Sequence, residues 1–273
     1  MAKQAECVDF LQWCLPKLRM RWPGFRKVRS QVCKRIGRRI GELGLEDFGA
    51  YRKYVESHAE EWMRLDAMCR ITISRFFRDQ GVFEALETEV FPALASAAIE
   101  RGDRALRIWS CGCASGEEVY AVIVLWELRV SERNPWLDLE VIATDADPRM
   151  LERAQRGVYD AGSVRELPID LRRSAFEGVA APYRVRNRIR EQVSWSCQDV
   201  RDATPPGPFD LILCRNLVLT YFDEELQLEV MKRVVEALRH GGALVIGSHE
   251  NLPPHDIGCD PWMASLPIYR RVG

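Results

Sequence analysis

Residues 107–120 read Arg107-Ile-Trp-Ser-Cys-Gly-Cys-Ala-Ser-Gly-Glu-Glu-Val-Tyr120, and a second stretch, Val141-Ile-Ala-Thr-Asp145, follows them. The first reads as a buried strand, a turn of small residues and a helix start. The second reads as another strand that ends in a carboxylate. Together they give the nucleotide-binding half of a doubly wound sheet, because small residues let backbone approach a ligand and an acid at the next strand end accepts hydrogen bonds from ribose hydroxyls. The turn lacks both G-x-G-x-x-G spacing and the Gly-Lys-Ser/Thr of a P-loop. A pyrophosphate therefore has no evident cradle, and a nucleoside without phosphates fits better. An ordinary crossover with a tight turn gives the same local pattern.

Outward from this stretch, strand and helix patterns alternate. Leu106–Trp109, Leu139–Thr144, Phe209–Cys214 and Ala243–Gly247 read as strands. Glu117–Arg129, Pro148–Arg156 and Asp223–Arg239 read as helices, the last closed by a left-handed cap at His240-Gly241-Gly242. This is a parallel sheet covered by helices. Between them, Tyr183, Val185 and Ile189 alternate with arginines, which predicts a small antiparallel excursion near 175–198. Residues 1–95 read as helices only. Val28, Val32, Ile36 and Ile40 share one face of the most regular of these, and Phe83–Glu100 forms another. Gly102-Asp103 marks a linker over 96–105, so the expected domains are 1–95, all helical, and 106–273, α/β.

Charge is unevenly spread. The 273 residues carry a formal net charge of −1, yet residues 1–41 hold eleven Lys and Arg against Glu6 and Asp9. A basic front end on an acidic body points to an acidic partner: nucleic acid, an anionic membrane or an acidic protein surface. Nine cysteines, an odd number, stand scattered and several lie in apolar runs, as Cys214 does after Leu211-Ile-Leu213. Reduced buried thiols explain them better than a disulfide framework. Cys111 and Cys113 form C-x-C with no second ligand pair at zinc-like spacing, so no metal is expected. The N-terminus lacks the apolar core of a leader peptide and no run of about 18 apolar residues occurs. The expected compartment is the cytoplasm, without membrane insertion.

The chain resembles one family: the CheR-type methyltransferases that esterify glutamates on bacterial chemoreceptors. The resemblance runs from about residue 25 onward. It is carried by Leu43–Tyr51, Thr72-Ile-Ser-Arg-Phe-Phe-Arg-Asp79, Trp109–Tyr120, Ala143-Thr-Asp-Ala-Asp147 and Ala154–Tyr159. Phe209-Asp-Leu-Ile-Leu-Cys-Arg-Asn216, Tyr221-Phe-Asp223 and Leu244-Val-Ile-Gly-Ser-His-Glu-Asn-Leu252 complete it. It implies a Rossmann-like class I methyltransferase domain with a small antiparallel insertion, preceded by an all-α domain. S-adenosylmethionine is then the cofactor, S-adenosylhomocysteine the product and a protein glutamate the acceptor.

The resemblance also implies residue roles. Thr72, Ser74 and Arg78 fall where the family contacts the cofactor, Thr72 standing where many members carry Asn. Arg78 can fork onto a carboxylate and Tyr221 can place its hydroxyl near the methyl group, so these two are the catalytic candidates. Of the acidic pair Glu117 and Glu118, the second is the better match for the cofactor's amino group. Asp145 is expected on the ribose diol, Asp199 and Val200 on adenine, and Arg215 and Asn216 along the cofactor wall. Four residues (Leu217, Val218, Leu219, Thr220) separate Asn216 from Tyr221, where the family has three, which unsettles the tyrosine. A basic helix bearing Lys34, Arg35, Arg38 and Arg39 would dock a monomeric enzyme on the acidic helix bundle of a receptor.

Other readings remain open at this point. A divergent member would methylate another protein carboxylate or a small acid. A nucleic-acid methyltransferase is disfavoured, since no Asn/Asp-Pro-Pro-Tyr/Phe motif follows Cys214 and that cysteine lacks a preceding proline. A module that binds S-adenosylmethionine without chemistry is the third.

Overall fold

The computed structural model describes residues 2–273. It divides into two compact units: residues up to Ile71 together with Val218–Gln227, and Thr72–Leu217 together with Leu228–Gly273.

The first unit is helical: α1 (Ala2–Cys14), α2 (Trp22–Phe25), α3 (Arg29–Glu42), α4 (Phe48–Ser57) and α5 (Ala59–Cys69). In α3 three of the expected stripe residues are buried, Val32 and Ile36 fully and Ile40 nearly so, while Val28 precedes the helix and is half-buried. Asp47 starts α4 by accepting the Ala50 N–H at 2.7 Å, satisfying a donor that a helix start leaves orphaned. Glu61 of α5 is a buried carboxylate. Both its oxygens are bound by Arg39 at 2.8 Å, and the Tyr51 hydroxyl donates to it at 2.9 Å. The Arg39 guanidinium holds the Glu61 carboxyl below the usual carboxylate range against the opposing effect of burial.

This arrangement corrects the expected docking set. Arg39 is spent on Glu61, and Arg35 caps α5 by donating to the carbonyls of Met68 and Arg70. Only Lys34 and Arg38 are exposed. Helical geometry explains the split, since 35 and 39 flank the 32/36/40 stripe while 34 and 38 lie opposite it. The thiol reading also changes. Cys7 of α1 and Cys33 of α3 form a disulfide with their Cα atoms 5.9 Å apart, and the other seven cysteines are free.

The second unit opens with one long helix: α6 (Gln80–Ala85), a π turn at Leu86–Val90, and α7 (Phe91–Arg101). The π turn precedes Pro92, which has no N–H to give to the helix ladder. This helix belongs to the sheet's unit, so the compact units divide at Ile71 and not within 96–105. There follow β1 (Ala105–Cys111), α8 (Glu117–Leu125), β2 (Asp138–Asp145), α9 (Pro148–Arg156), β3 (Val158–Tyr159) and α10 (Ile169–Ala175). Then come β4 (Phe176–Glu177), β5 (Tyr183–Val185), α11 (Asn187–Arg190), β6 (Val193–Cys197) and β7 (Phe209–Leu213). After α12 (Val218–Tyr221), which lies in the first unit, the chain completes α13 (Glu224–Glu236), β8 (Leu238–Val245), β9 (Cys259–Pro261) and β10 (Ile268–Arg271).

The main sheet runs β6-β2-β1-β7-β8-β10-β9, parallel except at β10, which is antiparallel to both β8 and β9. The chain leaves β1 toward β2 and β6, then returns to β7 on the other side of β1. That reversal is the topological switch point, where α/β sheets bind ligands beyond their strand C-termini. The antiparallel excursion is a three-stranded sheet, β3-β5-β4. Tyr183 and Val185 point inward as expected, but Ile189 sits in α11, and β6 joins the main sheet. The glycines at 241–242 are not a helix cap. Gly241, at φ +77°, lies inside β8 where the pairing with β7 slips between Phe209↔Leu238 and Leu211↔Ala243. Among the described residues no helix is long and apolar enough to cross a membrane.

Replacing Arg39 by Ala strands the Glu61 carboxylate in the interior and should cost about 3 kcal/mol of stability, read by urea unfolding. Glu61 titrates below its ordinary value of 4.5, so its contribution is full above that value and is lost as pH falls through the lower folded-state value. Glu61→Gln should therefore show a shallower loss of stability on acidification than wild type.

Candidate active site

The site is built where β1, β2 and β7 end. The Gly112 and Cys113 N–H groups both donate to the Thr144 carbonyl at 2.9 Å, so the β1 turn is stitched across to β2. Gly112 (φ +73°) and Gly116 (φ +86°) adopt left-handed backbone conformations. A Cβ on Gly116 would stand 2.9 Å from Ala154 Cβ and 3.0 Å from Trp195, so side chains are excluded there. Asp145 accepts the Ala114 N–H on one oxygen and the Asp147 N–H on the other, each at 2.8 Å. A carboxylate oxygen accepts more than one hydrogen bond, so this anchored group can also take hydroxyl donors.

The two adjacent glutamates part company. Glu117 is buried, receives the Ser115 hydroxyl at 2.8 and 3.0 Å and lies 3.9 Å from Arg153. Glu118 is half-buried and receives Ser110 Oγ at 3.2 Å and Arg215 at 2.9 Å. Geometry thus separates a structural acid from one at the strand ends.

Thr72 and Ser74, both half-buried, lead into a turn at 76–79. Phe76 is fixed by its N–H to the Ser163 carbonyl at 3.0 Å and by edge contacts to Tyr159 and Phe176. Phe77 (φ +55°) stacks on Phe83 at 4.4 Å, and Asp79 (φ +65°) is also left-handed. Arg78 stands between them. Its carbonyl accepts Arg215 at 3.0 Å, while its guanidinium makes no hydrogen bond or ion pair among the described residues.

Arg215 is buried and is a hub: one terminal nitrogen donates to Glu118, the other to the Arg78 carbonyl and to Asp79 at 2.6 Å. Asn216 (φ +54°) is held through its backbone N–H, which donates to Glu250 at 2.9 Å, and Gly247 donates to the same Glu250 oxygen at 2.6 Å. Glu250, which lies in the Leu244–Leu252 motif, is thus the residue that holds Asn216, a contact the sequence reading does not include. Its burial beside two strand ends was the signal needed.

Asp199 follows the Gln198 N–H that pairs with the Asp145 carbonyl, so it lies at the β2–β6 end of the site. Its carboxylate is occupied by Arg201, whose backbone N–H, Nε and terminal nitrogen donate at 3.0, 3.0 and 2.7 Å. Val200 is buried, and its carbonyl accepts Arg233 at 2.9 Å, as does that of Arg201 at 2.8 Å.

Tyr221 belongs to the first unit. The four-residue spacer before it is absorbed by a short helical turn, α12. Arg21 binds the carbonyls of Thr220 and Leu219 at 3.2 and 2.5 Å, and the Tyr221 ring lies 5.1 Å from that of Phe25. A hydrogen bond with the wholly buried Cys214, and then burial, push the Cys111 thiol well up, and burial does the same at Cys113. None of the three is presented as a nucleophile.

A family model described as "CheR methyltransferase, SAM binding domain" matches residues 72–261, and "CheR methyltransferase, all-alpha domain" matches 27–66. The first begins at the residue where the second compact unit begins. The chain is 34% identical over 230 residues to a chemotaxis protein methyltransferase of Listeria monocytogenes, covering 84% of each. It is 34% identical over 233 residues to that of Escherichia coli K12, covering 82% of this chain and 77% of the relative. It is also 34% identical over 254 residues to a probable biofilm formation methyltransferase of Pseudomonas aeruginosa, covering 90% of this chain and 58% of the relative.

The glycine-lined turn and the anchored Asp145 fit a nucleoside cofactor. Asp145→Ala should weaken S-adenosylmethionine binding by about 1.5–3 kcal/mol, the scale of a lost charge-assisted hydrogen bond, in calorimetric titration. Unchanged affinity with intact circular dichroism would remove Asp145 from the site.

Proposed function

This chain belongs to the CheR methyltransferase family, and we propose that it esterifies glutamate side chains of a chemoreceptor, giving a methyl ester and S-adenosylhomocysteine. The observation that supports the acceptor class is Arg78: a guanidinium without a hydrogen bond or ion pair among the described residues, between a stacked Phe77 and an Asp79 bound to Arg215.

S-adenosylmethionine, when bound, supplies an electrophilic methyl group on a positively charged sulfur. In this reading Asp145 holds the ribose diol and Glu118 the ammonium, while Thr72, Ser74, Val200 and Asn216 line the remainder. Asp199 contributes through its turn, since Arg201 occupies its carboxylate. A glutamate acceptor is already ionised near neutral pH, its reference pKa being about 4.3, so no general base is required. The work left to the protein is alignment and exclusion of water. Arg78 forks onto the acceptor carboxylate and sets the attacking oxygen.

Docking falls to the outward face of α3. Lys34 and Arg38 are exposed there without an acidic partner among the described residues. Gly37 and Gly41, on the same side, have open space where side chains would stand. A cationic face with low backbone suits an acidic helix. The similarity to a biofilm formation methyltransferase leaves room for a receptor from another signalling array, with the same ester chemistry.

Label transferred from radioactive S-adenosylmethionine should be released as methanol by mild alkali, because a glutamyl methyl ester hydrolyses where N-methyl groups do not. Alkali-stable label on protein or nucleic acid would overturn the proposal. The double charge reversal Lys34→Glu/Arg38→Glu should raise KM for a receptor fragment with unchanged cofactor affinity, since exposed rim charges act on encounter. If cofactor affinity falls in parallel, α3 is not a docking face.

A further inference from the structure

Asp79 occupies the residue before α6, where an aspartate ordinarily accepts a backbone N–H of the first helical turn. It makes no such cap. Its φ of +65° turns the carboxylate elsewhere, onto Arg215 at 2.6 Å through one oxygen and onto the Ser248 hydroxyl at 3.1 Å through the other. Arg215 in turn reaches Glu118 at 2.9 Å and the Arg78 carbonyl at 3.0 Å. Its Nε is buried without a hydrogen-bond partner in the structure. Packing therefore gives this guanidinium less than its full set of partners, and what fixes it is the two carboxylates and one carbonyl at its terminal nitrogens.

Charge is the decisive quantity. Glu118 beside Arg215 alone would be a neutral pair with little pull on a further cation. Asp79 adds a second carboxylate to the same guanidinium, so the triad Asp79–Arg215–Glu118 carries one net negative charge. We propose that Asp79 is a positioning residue that acts through Arg215: it draws part of the guanidinium's charge away from Glu118, leaving that carboxylate able to hold the cofactor's ammonium. The same contact pins the Arg78 carbonyl and so couples the cofactor's amino-acid end to the acceptor-orienting arginine. The inference deepens the reading above and rests on Glu118 as the ammonium's partner.

Two ligands separate this role from a merely structural one. S-adenosylhomocysteine carries the amino-acid end; 5′-methylthioadenosine shares the nucleoside and thioether but lacks it. Asp79→Asn keeps the size, the tolerance of a left-handed φ and one acceptor oxygen, and removes the charge. In calorimetric titration it should weaken S-adenosylhomocysteine about tenfold and leave methylthioadenosine within about twofold, the effect of a charge felt only at the amino-acid end and chiefly by its ammonium. Glu118→Gln should show the same selectivity, and the double variant should lose less than the product of the two single losses. Ser248→Ala, at an exposed position that does not threaten folding, should give a smaller loss with the same selectivity.

Equal weakening of both ligands by Asp79→Asn would make Asp79 structural and overturn the inference. So would unchanged S-adenosylhomocysteine affinity in Asp79→Asn when Glu118→Gln weakens it. If Glu118→Gln leaves that affinity unchanged, the assignment of Glu118 fails first, and the two failures are told apart by which single variant is silent.

Discussion

The contact on which the site depends joins the ends of two neighbouring strands. Asp145, at the end of β2, receives the Ala114 N–H from the turn after β1 on one oxygen and the Asp147 N–H from the start of α9 on the other. The Thr144 carbonyl beside it accepts two more N–H groups from the same turn. A turn rich in small residues has little side-chain packing to define it, so backbone bonds must do so. Because these bonds converge on the switch point, the shape of the turn and the continuity of the sheet are one constraint. The glycines at 112 and 116 are consequences of it, since the turn closes only with left-handed backbone and no side chain at the second of them.

Much of this was legible in the sequence because parallel strands buried on both faces read as apolar runs, and Phe209–Leu213 is buried at every residue. Asp210 within that run is the instructive exception. It is tolerated because Arg101, Arg239 and the Arg107 N–H satisfy it at 2.7, 3.1 and 2.9 Å, and these partners are distant in sequence. The ends of elements were less legible. The Gly241-Gly242 pair has the composition of a helix cap, yet β8 had already begun, and only pairing with β7 reveals a slip in register.

Charges show the same division between local and distant information. Counting cations in residues 1–41 gives an accurate surplus but says nothing of which are available. Helical angle separates Lys34 and Arg38 from Arg35 and Arg39, and that could have been read from the sequence. That Arg39 meets Glu61, and that Cys7 meets Cys33, could not, because cysteine connectivity and ion pairs across helices are properties of packing. Arg215 is the strongest case. Its motif resemblance placed it along the cofactor wall, whereas its side chain is bound to residues more than ninety positions earlier.

The segment from Thr72 to Asp79 ties these observations to chemistry. Two of its residues without glycine's freedom, Phe77 and Asp79, hold left-handed backbone conformations, at a cost of about 1–2 kcal/mol for Phe77 and less for Asp79, whose short polar side chain tolerates that region. Such strain persists only where surroundings over-determine it. Here the stacking of Phe77 on Phe83 and the grip of Arg215 and Ser248 on Asp79 provide that determination. The strain is local: it flanks Arg78, whose guanidinium makes no hydrogen bond or ion pair among the described residues, with a stacked Phe77 on one side and an Asp79 bound to Arg215 on the other. Methyl transfer to a carboxylate needs an orienting cation for the acceptor and an anion for the cofactor's ammonium, held close together without neutralising each other. In the proposed reading, where Arg78 meets the acceptor and Glu118 the ammonium, a backbone kinked on both sides of Arg78, with Asp79 and Glu118 locked to Arg215, keeps the two apart.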